Sequence, residues 1–346
     1  MERAPGTRLL VIAPNWIGDA LMAAPLMARL KHGAKDTHLC VLAPSAVAGV
    51  LRHLSLVDEV IESPWPHGGA QLLSRVAISR RLAKREFDAA IILPNSFKSA
   101  LVPWFARIPV RIGYLGESRR GVLSRWLPNH NTAMPMREHY LALAELLVPS
   151  PPAHPDAIAA PRLHVSPEAI ARIRDRFAID ATRPLAVFCP GAEYGPAKRW
   201  PAEHFAELAK SLWIRDPTLQ IALAGSASDM EAGEAITRLA EAPLILTIGK
   251  TSIEDAVALL ATADFVISND SGLMHVAAAL DRPQVDLYGS TDPSHTPPQS
   301  DKARVLWLHP PCSPCFARVC PLGHMRCLNE LTPDLVLAAI DRGPVH

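Results

Sequence analysis

The chain has 346 residues, which at roughly 150 residues per domain suggests two domains. It is 49% hydrophobic and 20% charged with a net charge of +1, so disorder along the whole chain is excluded and nucleic acid is not expected as a partner. No apolar run approaches the ~18 residues of a membrane span.

The first stretch, MERAPGTRLLVIAPNWIGDALMAAPLMA, has early arginines and apolar runs, as a signal peptide would. Pro14, Asn15, Gly18 and Asp19 break the continuous apolar region that such a signal needs. A strand over 8–13, a tight loop and a helix fit better. The default compartment is then the cytoplasm, where the six cysteines need not pair.

Short apolar runs alternate with amphipathic stretches along the rest of the first half. LLVIA (9–13), HLCVLA (38–43) and DAAIIL (88–93) read as strands, and 136–148 as a helix. Arg75, Arg80, Arg81, Lys84 and Arg85 form a basic run on a predicted helix, taken as solvated surface. Five prolines in 149–164 make a stiff, extended linker and place a domain boundary there, giving domains 1–160 and 161–346. Beyond it, PLAVFC (184–189), LQIALAG (219–225), PLILTIG (243–249), DFVISN (264–269) and PQVDLYG (283–289) are further strands. Strands spaced by helices imply βαβ units and parallel sheets. The expected fold class is α/β, with two doubly wound, Rossmann-like domains facing a central cleft. Ligands of such sheets bind at the carboxyl ends of the strands.

Common nucleotide motifs are missing. No two glycines lie two apart, so there is no G-x-G-x-x-G fingerprint, which disfavours a dinucleotide oxidoreductase. Gly249-Lys250-Thr251 resembles the end of a P-loop, but Leu244 stands where the first glycine must be, and Lys250 reads as a solvated loop residue. No Asp-x-Asp pair is present to hold a metal on a sugar nucleotide. A diphosphate would then be neutralised by protein groups.

Three loops offer such groups. PGAEYGPAKRWP (190–201) follows a strand and precedes a helix; it carries Gly191 and Lys198, and helix N-termini favour anions. Its plain alternative is a surface loop with Pro201 at a helix start. Asn269-Asp270-Ser271-Gly272 ends the next site strand, with His275 one turn into the following helix. There Asp270 or Ser271 could simply cap the helix and His275 simply pack. Asp19, in the loop-to-helix segment with Asn15 and Gly18, is either a dipole-stabilised first-turn carboxylate or a general base. Gly18 would permit the tight turn before it.

These segments carry a resemblance. PNWIGDALMAAP (14–25), LPNSFKSALVPWFARIPVRIGY (93–114), CPGAEYGPAKRWP (189–201) and NDSGLMHVAAAL (269–280) resemble the glycosyltransferase family 9 heptosyltransferases, over nearly the whole chain. LPNSFKSALVP and PGAEYGPAKRWP resemble the type II rather than the type I members. The resemblance implies a GT-B architecture and an inverting, metal-independent enzyme of lipopolysaccharide core synthesis. The acceptor would sit on domain 1–160 and ADP-heptose on domain 161–346. It implies transfer of L-glycero-D-manno-heptose onto the first heptose of heptosyl-Kdo2-lipid A.

By motif match, Asp19 is the expected base and Lys198 the lysine on the donor phosphates. Gly191, Asp270, Ser271, Gly272 and His275 are expected at the donor, and Asn15, Gly18, Lys98 and Arg120 at the acceptor. No cofactor is expected for catalysis. The alternatives are a type I or III member with another acceptor, or a non-catalytic nucleotide-sugar binder. Residues 97–126 hold Lys98, Arg107, Arg111, Arg119, Arg120 and Arg125 against the single acid Glu117, interleaved with aromatics. With an anionic lipid acceptor implied, that stretch is expected to contact the acceptor or the cytoplasmic face of the inner membrane.

Cys312, Cys315, Cys320 and Cys327 stand in a C-x2-C-x4-C-x6-C pattern with His324 among them. Four thiols so close together suggest a structural zinc site; free thiols or two local disulfides are the alternatives. Cys40 and Cys189 sit in predicted strands and read as core.

Overall fold

The structure is a computed structural model, and it describes residues 7–33, 36–65, 71–129, 134–149 and 160–342. Most of the proline-rich stretch, 150–159, lies outside them. The chain divides into two units, Met1–Pro161 and Arg162–His346.

The first unit runs β1 (Arg8–Ile12), α1 (Ile17–Met22), α2 (Ala24–His32), β2 (His38–Ala43), α3 (Ser45–Leu51), β3 (Glu59–Glu62), α4 (Leu72–Ala83), β4 (Ala89–Ile92), α5 (Phe97–Phe105), β5 (Val110–Leu115), β6 (Arg125–Pro128) and α6 (Met136–Glu145). Its strands are ordered β3-β2-β1-β4-β5-β6, all parallel. β1 and β4 bury nearly every side chain, as strands covered by helices on both faces must. Leu10, Ile12, Cys40, Leu42, Ala90 and Ile92 meet α4 and α5 in one core.

The second unit runs α7 (Pro167–Phe177), β7 (Leu185–Cys189), α8 (Ala202–Arg215), β8 (Gln220–Leu223), α9 (Met230–Leu239), β9 (Leu244–Leu246), α10 (Ile253–Ala261), β10 (Phe265–Asn269), α11 (Gly272–Ala279), β11 (Gln284–Tyr288), β12 (Ala303–Trp307), α12 (Arg326–Asn329) and α13 (Pro333–Asp341). Its parallel order, β12-β11-β10-β7-β8-β9, is the first unit's order drawn from the other edge. In both sheets the strand order reverses between the first and fourth strands, the point where such sheets open a crevice for ligand. Those switch points lie between β1 and β4, and between β7 and β10.

Two readings of the sequence need correction. Gly18 is not in the turn; it is buried inside α1, one residue before Asp19. The basic run on α4 is not uniformly solvated. Arg75 is buried, lays its guanidinium 4.4 Å from the Trp65 ring centre and donates to the Lys98 carbonyl at 3.1 Å. Arg85 grips both oxygens of Glu59, at 2.7 and 2.6 Å. Cys40 and Cys189 are buried strand residues, and burial pushes the Cys40 thiol up to about 12.

Candidate functional site

The three loops read as candidate phosphate or proton sites each leave a sheet at a switch point. In the second unit the loop after β7 carries Gly191 and Lys198, and the loop after β10 carries Asp270 and Ser271. Asn269, the last residue of β10, ties the two loops together. Its amide donates to the Pro190 carbonyl at 2.6 Å and its oxygen accepts the Trp200 backbone N–H at 3.1 Å. Trp200 is anchored in turn through its indole N–H to the Leu331 carbonyl at 2.7 Å.

That frame sets Lys198 against Asp270. The ammonium donates to Asp270 Oδ2 at 2.6 Å, with the lysine 13% and the aspartate 5% exposed. Thr291, in the loop after β11, donates its hydroxyl to the same oxygen. The ammonium also lies 4.9 Å from the Tyr194 ring centre. Asp270 therefore holds the lysine and caps nothing; Ser271 occupies the N-cap of α11 without a capping bond. The first N–H groups of α11 have no intrahelical acceptor. His275, one turn in, is buried, and burial lowers its imidazole to about 4, Asp270 pulling up and Lys198 pushing down. It is neutral at pH 7, so it offers a hydrogen bond and no charge.

Gly191 is glycine because of a residue the sequence reading passed over. A Cβ there would lie 2.3 Å from Asp229 Oδ2. Asp229 accepts from the Ser226 backbone and hydroxyl at 3.0 and 2.8 Å and faces Arg199 at 3.4 Å. Asp286, on β11 beside Ser268, was also missed. Its carboxyl is fully buried; burial pushes it well above the usual carboxylate range, the Gln284 amide at 2.7 Å opposing and Asp270 adding.

In the first unit, Asn15 is exposed after β1 and Asp19 sits half-buried in the first turn of α1. Asp19 is close enough to the buried Tyr140 phenol on α6 to add to the upward push that burial gives it. Lys98 lies in the first turn of α5, after the neighbouring strand β4, and Arg120 is exposed on a short turn after β5. The basic stretch 97–126 is less available than its charge count suggests. Arg111 donates to the Val122 and Ile108 carbonyls at 2.6 and 2.5 Å, and Arg125 to the Leu146 carbonyl at 2.7 Å. Arg119 is wholly buried; it donates to the Pro94 carbonyl at 2.8 Å, to Asn95 Oδ1 at 3.2 Å and to the Tyr114 carbonyl. It braces the loop after β4, a role that charge counting cannot distinguish from a surface cation. Trp104 and Trp126 stay exposed, while Tyr114 is buried and stacks on His139 at 3.8 Å.

Comparisons with known proteins identify the family. A model of glycosyltransferase family 9 (heptosyltransferase) matches residues 75–326. Lipopolysaccharide heptosyltransferase 2 of Salmonella typhimurium is 40% identical over 337 residues, covering 95% of this chain and 96% of that protein. The protein of the same name from Escherichia coli K12 is 39% identical over 341 residues, covering 96% and 97%. The solved structure of E. coli ADP-heptose LPS heptosyltransferase II matches with a TM-score of 0.83 at 38% identity, covering 97% of this chain and 98% of that one. The two doubly wound parallel sheets, matched to that structure, give the chain the GT-B glycosyltransferase architecture. Within that class, the chain belongs to glycosyltransferase family 9, the heptosyltransferases.

Proposed function

We propose that this chain moves L-glycero-D-manno-heptose from ADP-heptose to the first heptose of heptosyl-Kdo2-lipid A, in lipopolysaccharide inner-core synthesis. The observation that carries the donor side is the Lys198–Asp270–Thr291 cluster at the switch point of the second sheet. The names of the full-length relatives support heptose as the group moved, and the name of the E. coli structure supports ADP-heptose as its carrier.

The donor binds the second unit. Lys198 and the N-termini of α8 and α11 face the diphosphate and stabilise the charge that grows on it as the bond to the sugar breaks. Gly191, Ser271 and Gly272 offer backbone N–H groups, and neutral His275 supports the turn that holds Asp270. The acceptor binds the first unit near Asn15, Gly18, Lys98 and Arg120. Its hydroxyl oxygen attacks the anomeric carbon from the face opposite ADP, inverting it, and Asp19 takes the proton. The sequence has no Asp-x-Asp pair, which supports a transfer step that runs without a metal. No helix among the described residues is long and apolar enough to cross a membrane. A lipid acceptor at the cytoplasmic face of the inner membrane supports a cytoplasmic enzyme that touches that surface peripherally.

The test is ADP release from ADP-heptose with purified heptosyl-Kdo2-lipid A, with Kdo2-lipid A in parallel and EDTA in both. Turnover confined to the heptosylated acceptor is expected. Turnover with Kdo2-lipid A alone would make the chain a type I enzyme. ADP binding without turnover on either would favour a binding protein.

A further inference from the structure

The four late cysteines are not used by the chemistry above. All four are free thiols, Cys312 and Cys315 exposed, and they line one small cavity together with Ala197, Ser290, Ser313 and His324. The cavity measures about 20 Å³, room for a single ion or water. Cys312, Cys315 and Cys320 each lie within electrostatic reach of Cys327. The turn from Leu322 to Met325 aims backbone N–H groups at the Cys320 sulfur. Gly323, at φ +70°, gives that turn its shape.

We propose that Cys312, Cys315, Cys320 and Cys327 form a tetrathiolate site for one zinc ion that fastens the 312–327 segment against the donor loop. Four sulfur donors with no oxygen partner suit zinc, and the thiols give up their protons on binding. His324 is not a fifth donor through Nδ1, which accepts the Arg326 backbone N–H at 3.1 Å. Among the described residues no three candidate ligands converge on one point. The sulfurs ring the cavity, and an entering ion supplies the attraction that closes them.

The consequence for the donor loop follows from what lies between the cysteines. The Arg318 carbonyl accepts the Ala197 backbone N–H at 3.0 Å and leaves no room for a side chain at Gly195, where a Cβ would lie 2.5 Å away. The Phe316 carbonyl accepts the Tyr194 hydroxyl at 2.6 Å, and the Phe316 N–H donates to the Ser290 carbonyl at 2.7 Å. Ser313 donates to the Gly289 carbonyl at 2.6 Å. The segment thus braces both the loop of Lys198 and the loop of Thr291. The zinc site itself does not depend on the proposed function; only its effect on donor binding rests on that reading.

The experiment is elemental analysis of the full chain, purified under reducing conditions without chelator. One zinc per chain is expected, released in step with four of six thiols during mercurial titration. Cobalt in its place should give the thiolate-to-cobalt bands of a tetrahedral site. Removing the zinc should weaken ADP binding several-fold, and Cys320→Ser should do both. A metal-free protein whose four thiols titrate freely, or one holding stoichiometric iron instead, would overturn the assignment. Should Cys320→Ser not fold, the native metal count and cobalt spectrum decide alone. Unchanged ADP affinity after zinc loss would sink the bracing role. Absent ADP binding in the native, zinc-loaded protein would sink the donor reading and leave the metal site standing.

Discussion

Lys198 and Asp270 meet across the switch point of the second sheet, ammonium to carboxylate at 2.6 Å, in a setting where neither is well solvated. A cation so placed is held ready for a phosphate by a partner that is itself fixed by Thr291. Lys198→Ala leaves the Asp270 carboxylate buried with one hydroxyl. Removing one side of a buried pair costs about 3–5 kcal/mol, and the residual exposure of Lys198 puts this case near the lower end. ADP affinity should fall at least tenfold at the same time. Adding Asp270→Asn should restore much of the stability and none of the affinity. Denaturation midpoints and calorimetric ADP titrations of the native chain and the two variants check this. Affinity recovered in the double variant would show that Lys198 does not touch the phosphates.

The central strands were readable in the sequence because both of their faces are covered, so they appear as unbroken apolar runs. The edges were not. β3 reads EVIE, its Glu59 and Glu62 paired with Arg85 and Arg52; β6 is mostly exposed and β12 half-buried. Such strands keep charge to discourage pairing with other chains, which removes the very pattern that marks a strand. The site loops were legible through Lys198, Asp270 and Asp19. Asp229 and Arg119 were not, because their importance lies in what they touch far away in sequence.

Arg119 offers a sharp case. Its guanidinium spans the Pro94 and Tyr114 carbonyls and Asn95. Arg119→Met keeps the bulk and removes the donors. Each buried group left unsatisfied costs about 1–3 kcal/mol, so the variant should unfold at clearly lower urea. Surviving enzyme should show a raised KM for the lipid acceptor with ADP affinity unchanged, because the loop it braces belongs to the first unit. A variant that weakens ADP binding instead would place the loop's role elsewhere.

Asp19 makes a different prediction, since the proposed function gives it the proton of the acceptor hydroxyl. As a first-turn carboxylate on a six-residue helix it contributes about 0.3–1 kcal/mol through the helix dipole. Asp19→Asn should therefore fold and bind ADP normally while kcat falls by about 10²–10⁴. Stopped-time ADP release and calorimetry separate the two. Near-native turnover would mean that another group takes the proton.

His275 ties the donor turn to pH. Burial lowers its imidazole to about 4 in the fold, with Asp270 opposing and Lys198 reinforcing, while an unfolded chain protonates it near the ordinary 6.5. Between those values the unfolded chain binds a proton that the native one does not. Stability therefore drops as pH falls through the window and is fully present above about 6.5. At about 1.4 kcal/mol per unit, the window is worth roughly 3 kcal/mol. Carboxylates add their own acid sensitivity, so the informative quantity is a difference. In His275→Gln, urea midpoints between pH 7.5 and 4.5 should decline less steeply than in the native chain. Parallel slopes would mean that the folded imidazole takes up its proton at an ordinary pH, and that the turn around Asp270 is open to water.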